Sequence, residues 1–75
     1  MEMYGNKRII ISDCKSVDDY TGEYIVLELD GYFLRVSGED LVLESYVFGQ
    51  ADISGVIVSV EFTTAGISGK QGGKA

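Results

Sequence analysis

The chain has 75 residues, with 12 acidic and 6 basic side chains, a net charge of −6, one cysteine and no histidine. This length allows one domain, a single cysteine excludes an internal disulfide, and one cysteine without histidine cannot hold structural zinc. An acidic protein repels phosphates, so we expect neither nucleic acid nor an anionic membrane surface as a partner. So small a core is marginally stable, so we expect it to be supported by self-association or a partner protein.

The first part of the chain predicts a strand and a polar connection. Residues 7–12 are rich in isoleucine, and β-branched side chains favour strands. Residues 13–22 are mostly polar and predict a connection with a short strand near residues 15–17. No apolar run approaches the roughly 20 residues of a membrane-spanning helix, so direct insertion into a membrane is not expected.

A hairpin is predicted between residues 23–29 and 32–37. Asp30-Gly31 lies between them, and this pair is typical of a two-residue type I′ turn, in which both residues have positive φ. The resulting register pairs residue 27 with 34, and paired side chains share one face of a sheet. We therefore expect an apolar core face that consists of Ile25, Leu27, Leu29, Tyr32, Leu34 and Val36.

The rest of the chain predicts further strands and a tail. After a predicted turn at residues 37–40, strand 41–48 would place Leu41 and Leu43 on the core face, and a turn at Gly49-Gln50 follows. The apolar residues then change from odd to even positions at Gly55, which indicates a bulge or bend in one long strand. Residues 63–75 are rich in glycine and predict a flexible tail, which leaves residues 1–62 as the single β domain.

These elements predict an all-β fold. We expect an antiparallel meander of roughly five to seven short strands that forms a curled sheet, a small sandwich or a barrel. The second face of this sheet is not cleanly polar, although a face in water should be. Either the sheet curls and covers this face, or the face is an assembly surface. On the second interpretation the candidate interaction face consists of Tyr24, Phe33, Tyr46 and Phe48.

The sequence contains no recognisable catalytic motif. Most carboxylates lie at predicted turns, where acidic side chains are commonly solvated. Cys14 has no histidine to activate it, which favours a buried structural thiol over a nucleophile. We therefore expect a protein that is not an enzyme, with no cofactor and no metal. The alternative is a small β-barrel that binds a small molecule or a peptide strand.

Between Arg8 and Phe62 the chain resembles the YabP/YqfC family of sporulation proteins. The resemblance is carried by these segments, in this order and spacing: Arg8-Ile9-Ile10-Ile11, Gly31-Tyr32-Phe33-Leu34-Arg35-Val36, Val36-Ser37-Gly38-Glu39-Asp40-Leu41-Val42-Leu43, and Ile53-Ser54-Gly55-Val56-Ile57-Val58-Ser59-Val60-Glu61-Phe62. It implies a small β-protein of the mother-cell cytoplasm that is needed for the spore envelope and works beside a membrane-protein partner. With the apolar second face, it predicts a non-enzymatic assembly or adaptor module that forms a homo-oligomer.

Overall fold

The computed structural model describes residues 1–64, which form one antiparallel sheet and contain no helix. Its strands lie in the order β1-β2-β6-β5-β4-β3. Their bounds are β1 Glu2–Tyr4, β2 Arg8–Ile11, β3 Ser16–Tyr20, β4 Tyr24–Glu28, β5 Tyr32–Val47 and β6 Gln50–Thr64. The all-β class and the number of strands are confirmed. However, β5 and β6 are 16 and 15 residues long rather than short, and the sheet does not close into a barrel.

The end of β6 extends the folded part of the chain. β6 continues through Thr64, beyond the predicted end of the domain at residue 62. The remainder of the predicted tail, residues 65–75, lies outside the described residues. The predicted short strand near residues 15–17 is present as β3, which extends further toward Tyr20.

The hairpin of β4 and β5 has the predicted register. Leu27 pairs with Leu34, Ile25 pairs with Val36, and all four side chains are buried. The turn between the strands is not of type I′, however. Gly31 has a φ of 88°, whereas the φ of Asp30 is not positive. Glycine has no Cβ and adopts a positive φ at little cost, so the turn needs this conformation only at Gly31.

The predicted turn at residues 37–40 is wrong, because these residues lie inside β5. Glycine there allows the two long strands to approach each other, since a Cβ on Gly38 would lie 1.9 Å from the carbonyl oxygen of Val56. Asp40 has a φ of 53° and lies in a β-bulge, where the pairing with β6 shifts. Glycine and aspartate with positive φ suit a bulge as well as a turn, so the sequence pattern does not separate the two. The core positions predicted after this segment are confirmed, since Leu41 is buried and Leu43 packs against the core.

The change of phase in β6 occurs at Val58 and not at Gly55. Buried odd positions continue past Gly55 to Ile57. The pairing with β5 then skips Val58, which is 71% exposed, and the next side chain that packs on the core is Val60. An extra residue in one strand reverses the faces of all residues after it, which explains the switch.

The buried side chains form one cluster that joins both ends of the long hairpin. β2 pairs with the beginning of β6, and β4 pairs with the beginning of β5, so two strands separate β2 from β4 in the sheet. A flat sheet would leave both sets of side chains in water, yet none of the core residues is more than 7% exposed. The sheet is therefore curled, as one of the predicted alternatives stated. The curl brings together Ile9 and Ile11 of β2, Ile25 and Leu27 of β4, Leu34, Val36 and Leu41 of β5, and Ala51, Ile53 and Ile57 of β6.

Candidate interaction surface

Tyr24 and Phe33 both lie on the outer face of the β4–β5 hairpin but at opposite ends of it, since Tyr24 pairs with Ser37 and Phe33 pairs with Glu28. Their neighbours along each strand point into the core, and alternation along a strand turns these two side chains outward. The guanidinium of Arg35 lies 4.5 Å from the centre of the Tyr24 ring, within the range of a cation–π contact. The Tyr24 hydroxyl donates to Asp19 Oδ2 at 3.1 Å, and this hydrogen bond raises the pKa of Tyr24. Both side chains are half-buried, and Val26 and Arg35 lie between them on the outer face.

Tyr46 lies on the opposite side of the sheet from Tyr24 and Phe33. A shift of register between Leu43 and Ser45 reverses the phase of β5, and Tyr46 consequently pairs with buried Ala51. Its hydroxyl donates to the carbonyl oxygen of Cys14 at 3.0 Å. Tyr46 therefore fixes the far end of the hairpin to the segment that follows β2.

Phe48 lies at the tip of the β5–β6 hairpin. Phe48 and Gly49 have φ values of 53° and 75°, and Val47 pairs with Gln50, so this is the two-residue turn with positive φ at both positions that was expected at Asp30-Gly31. The predicted turn at Gly49-Gln50 is therefore displaced by one residue. The Phe48 side chain is fully exposed.

The structure thus divides the predicted interaction face. Tyr24 and Phe33 share one outer surface, whereas Tyr46 lies on the core side of β5 and Phe48 lies in the turn at the hairpin tip. The sequence did not reveal this division, because the bulge between Leu43 and Ser45 reverses the phase of β5 before Tyr46. Their role in an interaction stays a prediction.

Cys14 is buried between β2 and β3, with an exposure of 5%. Its thiol donates to the carbonyl oxygen of Ile11 at 3.6 Å, and burial raises the pKa of the Cys14 thiol. A reactive cysteine needs an accessible thiolate with a lowered pKa, so Cys14 has the properties of a structural thiol.

A second feature of the outer surface is an ion pair between β2 and β6. Arg8 donates through Nε to Asp52 Oδ1 at 2.9 Å and through a terminal nitrogen to Asp52 Oδ2. This bidentate contact holds the pKa of Asp52 below its usual value. Tyr4 of β1 stacks on the same guanidinium at 5.9 Å and donates a hydrogen bond to Glu2. This half of the outer surface is thus mainly polar.

A groove of about 380 Å³ opens where β2 ends beside the C-terminal part of β6. Its floor is apolar and its outer wall holds Tyr32 and Phe62, whose ring centres are 5.7 Å apart. The other lining residues are Met1, Ile11, Ser12, Asp13, Leu29, Asp30 and Leu34. The sequence pattern gives no sign of this groove, because the groove exists only where the curled sheet stays open.

The family resemblance of the segment from Arg8 to Phe62 is tested by comparison with models of known families. The model of the YabP family matches residues 1–69. The chain belongs to the YabP family. No curated protein matches this YabP-family chain in a search of whole sequences. Within residues 1–64 there is no helix that could span a membrane, and no group of three or more acidic, cysteine or histidine side chains that could hold a metal ion.

Proposed function

We propose that this YabP-family protein is a non-enzymatic assembly or adaptor module in spore envelope formation. The family supplies the link to sporulation. The assembly or adaptor role is supported by the distribution of side chains between the core and the surface. No polar or charged side chain of residues 1–64 is buried, while many large hydrophobic side chains are exposed. The exposed set is Met1, Met3, Tyr4, Tyr20, Val42, Tyr46, Val47, Phe48, Val58 and Phe62.

This distribution of side chains favours a role in protein binding over a role in catalysis. Exposed apolar surface commonly marks interaction sites, whereas catalysis needs polar groups held in a sheltered site. Cys14, the one thiol of the chain, is buried with a raised pKa. The protein would therefore act by binding other protein surfaces.

The partners in this proposal are further copies of the chain and a membrane protein. A protein with a net charge of −6 is repelled by anionic lipids, so it would reach the membrane through a protein rather than through lipid. Together with the family membership, this supports a place in the cytoplasm of the mother cell, on the face of the developing envelope.

Binding of a small molecule is less well supported. The barrel that this alternative assumed is not formed, since the sheet is open. The groove has a volume typical of ligand sites, but its polar groups, on Ser12, Asp13 and Asp30, are exposed at the rim. Such groups offer little that would orient a small ligand.

Gene deletion in the sporulating bacterium tests the proposal. The deletion strain should grow normally and produce far fewer heat-resistant spores, and a fluorescent fusion should collect at the forespore boundary on the mother-cell side. Normal spore yield, or a fusion found only in the forespore, would contradict the proposed role.

A further inference from the structure

We propose that Phe48 of one copy inserts into the groove of a second copy. The Phe48 side chain and its turn form a knob, and the groove beside Tyr32 and Phe62 is its receptor. This inference rests on the proposed function and specifies how an assembly module would bind itself. It connects two features that do not contribute to the core, namely the exposed side chain of Phe48 and the open groove.

The knob is a strained and fully exposed aromatic residue. Phe48 has a φ of 53°, a conformation that bulky residues rarely adopt and that asparagine or glycine would adopt with less strain. An exposed phenylalanine at such a position costs stability without contributing to the core. Residues with a strained backbone conformation are concentrated at binding and catalytic sites. The strained conformation of Phe48 therefore indicates a role in binding rather than in folding.

Hydrogen bonds hold the turn that carries Phe48. The N–H of Cys14 donates to the carbonyl oxygen of Gly49 at 2.8 Å, and the Tyr46 hydroxyl donates to the Cys14 carbonyl oxygen at 3.0 Å. These bonds tie both sides of the turn to the segment after β2. Because the backbone of the turn is already held, only the side chain of Phe48 loses conformational freedom on binding, which favours affinity.

Charge favours this part of the surface for contact with an acidic copy. No charged residue occurs between Glu44 and Asp52, although the chain as a whole carries −6. The groove has Asp13 and Asp30 at its rim. An uncharged tip approaches this acidic rim without the like-charge repulsion that most other parts of the surface would meet.

The groove matches the knob in size and chemistry. A cavity of about 150 Å³ holds a benzene ring, so the groove of about 380 Å³ has room for the phenyl ring of Phe48 and the adjacent edge of Val47. Leu29, Leu34 and Ile11 form the buried lining of the groove, and the exposed apolar surface that a phenyl ring would cover belongs to Met1 and Phe62. Tyr32 and Phe62 add rings for tilted aromatic packing.

Two variants separate the knob from the groove, with molar mass by light scattering as the measurement. Phe48→Asn should weaken self-association by at least roughly thirtyfold, as expected for a binding hot spot. It should also raise the melting temperature, because asparagine tolerates the turn conformation. Ser12→Trp adds bulk at the groove rim and should weaken association similarly. Val56→Thr is the matched control on the same hairpin, since Val56 is half-buried, lies away from the tip and does not line the groove, so association should be unchanged.

Mixing the variants provides the decisive result. Phe48→Asn retains an intact groove and Ser12→Trp retains an intact knob, so the two should form a one-to-one dimer when mixed. Failure of the mixture to associate, or unchanged association of either variant alone, would overturn the inference. Unchanged mass in Ser12→Trp with altered nuclear magnetic resonances of residues 65–75 would assign the groove to the chain's own C-terminal segment and also overturn it. A monomeric wild-type chain would overturn self-docking alone, because an adaptor for other proteins would still show the spore defect of the deletion strain.

Discussion

Cys14 and Gly49 are joined by a backbone hydrogen bond of 2.8 Å that ties the tip of the long hairpin to the segment between β2 and β3. A Cβ on Gly49 would lie 3.2 Å from the Cys14 carbonyl oxygen, which is tighter than ordinary contact. The φ of 75° at Gly49 is, in addition, unfavourable for any residue with a Cβ. The glycine is therefore needed both for the turn and for the approach of the two segments.

Replacement of Gly49 by alanine tests this relationship. Gly49→Ala should lower the free energy of unfolding by about 1–2 kcal/mol from backbone conformation, with a further loss from the contact with Cys14. Gly31→Ala is the matched control, since Gly31 also has a positive φ but a Cβ there would meet nothing within 4 Å. Urea denaturation should rank Gly49→Ala as the less stable variant, and equal stability of the two would contradict the close contact.

Stability should be still more sensitive to a substitution at Gly38, where β5 and β6 pair closely. A Cβ at Gly38 would lie 1.9 Å from the Val56 carbonyl oxygen, so the two strands would have to separate. Gly38→Ala should cost about 3 kcal/mol or more, at the upper end of overpacking effects. Gly22→Ala meets nothing within 4 Å and should be nearly neutral in the same denaturation experiment. A Gly38→Ala variant as stable as the wild type would show that β5 and β6 do not approach each other this closely at Gly38.

Alternation along β4 predicts a contrast between adjacent residues. Leu27 faces the core with no exposure, and Leu27→Ala should cost about 2–5 kcal/mol. Val26 faces outward and is only half-buried, so Val26→Ala should cost less than half as much. Denaturation midpoints measure both, and a larger loss for Val26→Ala would indicate that the faces are reversed.

The ion pair of Arg8 and Asp52 predicts an acid-dependent part of the stability. The pKa of Asp52 is lowered in the folded state by its hydrogen bonds with Arg8, so the folded state favours the carboxylate. This contribution is fully present above the ordinary pKa of an aspartate, near 3.9, and is lost as pH falls through the lowered pKa. Asp52→Asn should be less stable at neutral pH and should lose less stability than wild type between about pH 4 and pH 2. Parallel pH profiles of the two proteins would contradict the pairing.

The sequence predicted the parts of the fold that depend on short-range alternation. The register of β4 with β5 and its core face follow from the positions of Ile25 to Val36, because one buried face permits one register. The bulges at Asp40 and Val58 could not be assigned, since glycine and aspartate also favour turns and an extra residue leaves no distinct signal. The division of Tyr24 and Phe33 from Tyr46 and Phe48 follows from such a bulge. The groove depends on the sheet remaining open, which is a property of the whole fold.

In the proposed function, exposed side chains rather than a reactive chemical group bind the partners. Complementation of the deletion strain tests it most directly, with heat-resistant spores as the measured quantity. Cys14→Ala should restore spore formation fully, because the thiol is a buried structural group. A double variant, Phe48→Asn with Val58→Thr, should restore few spores although circular dichroism shows it folded, because it removes the two most exposed hydrophobic side chains of residues 1–64. Failure of a folded Cys14→Ala variant to restore spores, or full rescue by the double variant, would contradict a function that depends on exposed side chains.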